Sequence, residues 1–209
     1  ELTAGWTFLS KILDYLVSIL PPKAHVHSTQ DLNTTNVLIP LVVFLASQDG
    51  KFPSDASLRN AIHWLYAAHT WARYTAQTDQ RLEQDVSLVV RSPNPWDALR
   101  DQILDQRGRI EVRAADLQGR GAQHPLHRML ATLAKANGAV DWFNGTPLGS
   151  THGSAYAVHS HHIFPTSLLY SNGYDSENHL HRKVVNEIAN RAFLTADSNV
   201  SLGAMPPED

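Results

Sequence analysis

Up to about residue 136 the apolar residues of this chain recur three and four positions apart, and from about Ala139 the pattern is gone. That spacing marks one face of a helix, so it commits the first two thirds of the chain to helices and leaves the last third to something else. Trp6, Leu9, Leu13, Leu16 and Leu20 form the first such face, and the pair Pro21-Pro22 is expected to stop that helix. The run VLIPLVVFLA, Val37 to Ala46, carries Pro40 near its start and ends in SQDG, which predicts a buried helix rather than a strand. A capping serine or aspartate at Ser54-Asp55 precedes Leu58, Ile62, Leu65 and Ala72, a second strong helix. Residues 79–92 and 95–108 read as shorter helices, the latter with Pro95 early and Gly108 as its terminator. Residues 109–121 are expected to hold a brief strand, and residues 124–138 a helix closed by Asn137-Gly138. Trp64 and Trp71 are assigned to the core, with no stacking role.

Beyond Ala139 the texture is different. Gly145, Gly149, Gly153 and Gly173 divide the chain into short pieces, and six of its 12 histidines fall between His152 and His181. Asp141 to Gly145, DWFNG, reads as an entry turn with Trp142 and Phe143 packed beneath it. The chain has no cysteine, so disulfides and thiolate zinc sites are excluded and any metal must take nitrogen or oxygen ligands. Its longest apolar run is half the roughly 20 residues a bilayer crossing needs, so no membrane is expected. No leader precedes the opening ELTAGWTF, and a cytoplasmic fragment of a longer protein is the expectation. A formal net charge of −3 lacks the Lys and Arg excess of a protein that grips nucleic acid unaided.

The chemistry-bearing stretch is AYAVHSHHIFP, Ala155 to Pro165, read as a strand with Tyr156, Val158 and Ser160 facing one way and His159 and His161 the other. Adjacent strand residues leave opposite faces, so His161 and His162 share a pocket only if the strand ends or bends there, and Ile163-Phe164-Pro165 is expected to bend it. Downstream, NEIANRAFLTADSNVSL predicts a helix ending near Asn190, a short strand through Thr195 and a helix from Ala196. Asn190 and Asn199 stand nine residues apart.

With HHIFP followed by those two asparagines, the chain resembles the HNH, or His-Me finger, nucleases and their ββα-metal fold. The resemblance implies His161 and Asn199 as metal ligands, His162 as general base and Asn190 as the residue that steadies it. It also implies a divalent cofactor, Mg2+ or Mn2+, with Ni2+ or Zn2+ as alternatives, and metal-dependent nicking of DNA with little sequence preference. Histidine is suited to the base, because its unperturbed pKa of about 6.5 lets it take a proton near neutrality. Over a wider span, HHIFPTSLL, NEIANRAFLTADSN and NVLIPLVVFLA are similar to the C-terminal half of GmrSD-type DNA-defence nucleases, among them those linked to phosphorothioate DNA. That likeness implies an anti-phage or modification-dependent restriction role and an N-terminal ParB-like NTPase domain as partner. No phosphate-binding loop for such a domain is found in these residues.

Two departures bear on the site. His161 stands where many HNH enzymes have aspartate, and Val200 where relatives often have arginine. Arg182, Lys183 and Arg191 are the candidate substrate contacts. Arg182 and Lys183 share a polar helix side with His179, Asn186 and Asn190, a side that solvation alone would also explain. His159 is read as solvated, and Asn190 by itself as a helix cap. The expected fold class is mainly α: a helical scaffold over residues 1–140 and a small ββα-metal HNH module over residues 141–209. An HNH-type RNase or toxin, or a non-catalytic metal- or partner-binding module, are the competing functions.

Overall fold

The computed structural model describes residues 2–150 and 157–207, so Tyr156 and the other opening residues of the expected strand lie outside the described residues. The chain is mainly helical, and its described strands form one two-stranded sheet. Two compact units divide it, Glu1–Glu111 and Val112–Asp209. Residues 112–140, read from sequence as the end of the scaffold, therefore fall in the second unit.

The first unit is built from α1 (Leu2–Ala24), α2 (Leu38–Ala46), α3 (Asp55–Thr70), α4 (Thr78–Arg91) and α5 (Pro95–Arg107). Contrary to expectation, α1 passes through Pro21-Pro22 and turns out at His25, which is left-handed at φ 51°. In the last turn the two missing N–H groups deprive only the carbonyls of Val17 and Ser18, both on exposed residues where water can replace them. Ser54 caps α3 by accepting the Ser57 N–H at 3.2 Å, and Gly108 ends α5 at φ 72° as its lack of Cβ permits.

The core of this unit is aromatic as well as aliphatic. Trp64 is fully buried beside Trp96, ring centroids 5.6 Å apart, and Phe44 meets Trp96 edge-on at 4.8 Å. Each such side chain contributes on the order of 1.5–3 kcal/mol by leaving water. Trp71 is half-buried, with its Nε1 donating to the Ile110 carbonyl at 2.9 Å. A buried ion pair sits in this core: Arg73 Nη2 and Nε donate to the two oxygens of Asp85 at 2.6 and 2.7 Å, and the Tyr74 hydroxyl donates to the same carboxylate. Among the described residues no helix is long and apolar enough to cross a membrane.

The second unit runs α6 (Ala114–Leu117), α7 (Pro125–Ala136), β1 (Val158–His162), α8 (Thr166–Ser171), α9 (His179–Val185), β2 (Arg191–Thr195) and α10 (Ala196–Leu202). No strand forms over the described residues 109–121. Instead the Asp116 carboxylate accepts the Arg113 N–H at 2.7 Å and starts the single turn α6. In the DWFNG turn Trp142 and Phe143 point outward, more than half exposed. Asp141 takes the inward position instead, accepting the Thr195 N–H at 2.8 Å and the Thr195 hydroxyl at 2.7 Å.

Candidate active site

β1 and β2 pair antiparallel, with His161 opposite Ala192 and His162 opposite Arg191. Directly opposed residues share a face, so His162 lies with Arg191, Ser160 and Phe193, while His161 lies with His159, Ala192 and Leu194. The bend falls where Ile163-Phe164-Pro165 was expected to place it: the strand ends at His162 and the chain bends at Ile163-Phe164, so the two histidines are its last residues. The two imidazoles therefore leave opposite faces of a narrow ribbon.

On the face of His161 the partner comes from α10. Thr195 ends β2 and caps α10, its hydroxyl accepting the Ser198 N–H at 3.3 Å, and α10 packs back on both strands. One turn along, Asn199 Oδ1 stands 3.0 Å from His161 Nδ1, and His161 is buried. At that distance the two atoms are hydrogen-bond partners, and the same nitrogen and oxygen would offer one edge of the coordination sphere of a divalent ion. No three His, Asp or Glu residues gather at metal-holding distance among the described residues. The donor set is thus one imidazole and one carboxamide, a pair that leaves the remaining positions of an ion for water and phosphate oxygens.

On the other face, His162 Nε2 lies 3.2 Å from Asn186 Oδ1. Burial, then the Arg191 charge, and to a smaller degree His161, lower the pKa of His162 from its ordinary value, while the bond to Asn186 works the other way. Arg191 is half-buried beside it, with Nη2 donating to Asn186 Oδ1 at 3.2 Å and Nη1 weakly to Ser160 Oγ at 3.4 Å. Its Nε has no hydrogen-bond partner among the described residues, and burial lowers its pKa.

Among the described residues Asn190 makes no hydrogen bond to the His162 ring. Its Oδ1 accepts the Phe164 N–H at 2.8 Å, its Nδ2 donates to the Phe164 carbonyl at 3.0 Å and the Val185 carbonyl at 2.9 Å, and its own carbonyl accepts the Ile163 N–H at 3.1 Å. It lies not at the end of an α-helix, which α9 reaches at Val185, but in a 3-10 turn, Ile188–Asn190. From there it clamps the backbone immediately after His162.

Against all this geometry, the chain matches no family model, no curated protein and no solved structure.

The remaining candidates are less central. Arg182 and Lys183 are exposed in the last turn of α9, and among the described residues neither side chain bonds the histidines or Asn199. Lys183 lies over Gly119, where an added Cβ would meet its Cε at 2.5 Å. His159 is exposed. Two residues the sequence reading passed over join the site instead. Asn186, read there only as part of a polar face, bonds both His162 and Arg191. His127 of α7 is buried, 4.9 Å ring to ring from Phe193 and close enough to Arg191 to feel its charge. The spacing Asn186 to Asn190 was the one available signal, since positions four apart fall on the same helical side. Nothing local to His127 pointed to it.

Proposed function

We propose that this chain is the metal-dependent DNA endonuclease part of a cytoplasmic, modification-dependent or anti-phage defence protein, cutting phosphodiesters by nicking with little sequence preference. The observation that carries the reading is the 3.0 Å approach of Asn199 to His161, one residue along the strand from a half-buried histidine held by its own partners. The antiparallel pair and the helix after β2 that delivers Asn199 add support, as the HNH resemblance implies two strands and a helix, here with α8 and α9 inserted between the strands.

In this reading His161 Nδ1 and Asn199 Oδ1 hold a divalent cation. When bound, the ion supplies charge neutralisation at the phosphoryl oxygens and at the departing 3′ oxygen. His162 takes a proton from water as that water's oxygen bonds to phosphorus. The P–O3′ bond breaks, leaving a 5′-phosphate and a 3′-hydroxyl whose proton comes from solvent. Asn190 holds the peptide after the base in place. Arg191 stands beside His162, where its charge favours the neutral imidazole a base must be. Arg182 and Lys183 offer charge to phosphates farther along the duplex. With a net charge of −3, further DNA affinity comes from a partner, for which an N-terminal ParB-like NTPase domain is the reading's choice.

Supercoiled plasmid incubated at low salt with Mg2+, Mn2+, Ni2+ or EDTA, beside His162→Ala, tests the reading. Open circles that require metal and vanish in the variant are expected. Equal relaxation by His162→Ala would refute the assignment of the base. Degradation of RNA but not plasmid would transfer the site to RNA cleavage.

A further inference from the structure

Asn186 settles which nitrogen of His162 carries hydrogen. Its Nδ2 donates to the Arg182 carbonyl at 2.9 Å, one turn back on α9, and its Oδ1 receives Arg191 Nη2 at 3.2 Å. Guanidinium nitrogens only donate, so the amide atom facing Arg191 must be the oxygen. Flipping the amide would set its NH2 against the guanidinium and its C=O against the Arg182 carbonyl, two repulsions in place of two bonds. The orientation is therefore fixed from both ends, independently of the histidine.

That same Oδ1 is the atom 3.2 Å from His162 Nε2. An oxygen already committed as an acceptor makes a bond there only if Nε2 bears the hydrogen. We infer that Asn186, locked by Arg191 and the Arg182 carbonyl, holds the neutral ring of His162 as its Nε2–H tautomer and leaves Nδ1 as the nitrogen with the free lone pair. Asn186 is then a positioning residue, and Nδ1 is the atom that takes the proton from water. Only this last step rests on the nuclease reading, because the tautomer is a property of the chain with or without activity.

The test is a long-range 1H–15N correlation spectrum of the uniformly labelled chain at mildly alkaline pH, with His162 assigned by loss of its signals in His162→Ala. The wild type is expected to show His162 wholly as Nε2–H, with a ring proton protected from solvent exchange. Asn186→Asp keeps an acceptor at that place and should keep the signal. Asn186→Leu should lose the protected proton and admit the Nδ1–H form, with nicking down about 10–100-fold in kcat and KM little changed, the scale on which such orienting partners act. A wild-type ring protonated at Nδ1 would overturn the inference, as would a folded Asn186→Leu chain with an unchanged ring signal. Should Asn186→Leu not fold, the wild-type tautomer and Asn186→Asp decide alone. Plasmid left intact by the wild type with every metal would count against the nuclease reading, while the spectrum would still judge Asn186.

Discussion

His127 makes the second unit sensitive to mild acid. Its side chain is 6% exposed, and its Nδ1 has no hydrogen-bond partner among the described residues. Burial first, then the charges of Arg191 and Arg128, push its pKa down to about 4. Unfolded, the ring titrates near 6.5, so between those values the unfolded chain binds more protons than the folded one. The corresponding stability is fully present above pH 6.5 and is lost as pH falls through about 4. The shift is worth about 3 kcal/mol in full, of which about 2 kcal/mol is gone by pH 5. A typical domain has about 5–15 kcal/mol to lose, so this one group consumes a large part of the margin.

His127→Leu removes both the titration and the unpartnered nitrogen while keeping an apolar body against Phe193. At pH 7.5 it should change stability by no more than about 1.5 kcal/mol, the usual range for a swap of similar volume. At pH 5 it should be less acid-labile than the wild type by about 2 kcal/mol. Urea titrations at pH 7.5, 6 and 5, followed through amide signals of residues 158–162 and 191–195, read the second unit alone. Parallel pH slopes in variant and wild type would refute the account.

Removing either ligand of the proposed metal edge, by His161→Ala or Asn199→Ala, should weaken Mn2+ binding by calorimetry at least about tenfold. Unchanged affinity would exclude the pair. Asn190→Ala deletes three hydrogen bonds and should cost about 2–3 kcal/mol in denaturant. It should also lower nicking while leaving Mn2+ affinity within about twofold, since neither ligand is touched, and a parallel loss of affinity would count against that separation. Burial works to raise the Asp141 pKa, but the Thr195 N–H, the Ser198 and Thr195 hydroxyls and the Phe143 N–H outweigh it and hold the carboxyl below its usual value. Its contribution is therefore present above about pH 4 and lost below it, so Asp141→Asn, which sets an NH2 against a donor, should cost about 2–3 kcal/mol at neutral pH and flatten the acid limb of stability. Asp85→Ala strands Arg73 in the core and should cost about 3–5 kcal/mol, whereas Arg73→Leu with Asp85→Leu should cost less, as measured by urea unfolding.

The helices of the first unit were legible because burial there follows the helical period: Leu16 and Leu20, Leu41 and Leu45, Leu58 and Leu65 all lie inside. Pro21-Pro22 misled, since a proline's cost depends on which carbonyls it deprives, and Val17 and Ser18 are exposed. At the candidate site the strands and the following helix were readable from spacing and capping residues, whereas His161 and Asn199 were brought together only by the HNH resemblance. The release of β1 at Ile163 was legible too, from Pro165 and its neighbours, but the register was not: it sets His162 opposite Arg191, a contact 29 positions away in sequence that no local pattern encodes. Trp142 and Phe143 were misplaced for a similar reason, as the inward position of their turn is decided by donors on Thr195. The Arg73–Asp85–Tyr74 cluster left no signal either, because nothing in a charged residue's neighbours says that its partner will be buried with it.

The candidate site is positioned by polar contacts that reach across elements. Asn199 depends on α10, whose cap residue Thr195 is held by Asp141. His162 depends on Asn186 and Arg191, and the peptide after it on Asn190. Such contacts fix direction better than apolar packing, which tolerates sliding, and direction is what the proposed proton acceptor and the proposed ligand pair, on opposite ribbon faces, would require to meet one phosphate. They also tie position to protonation. Asp141 must stay charged and His127 neutral for the ribbon and α10 to keep their places, and both conditions fail on the acid side. Acid should therefore disorganise the residues that place Asn199 and Arg191 while the aromatic core of the first unit, held by Trp64, Trp96 and Phe44, is still intact.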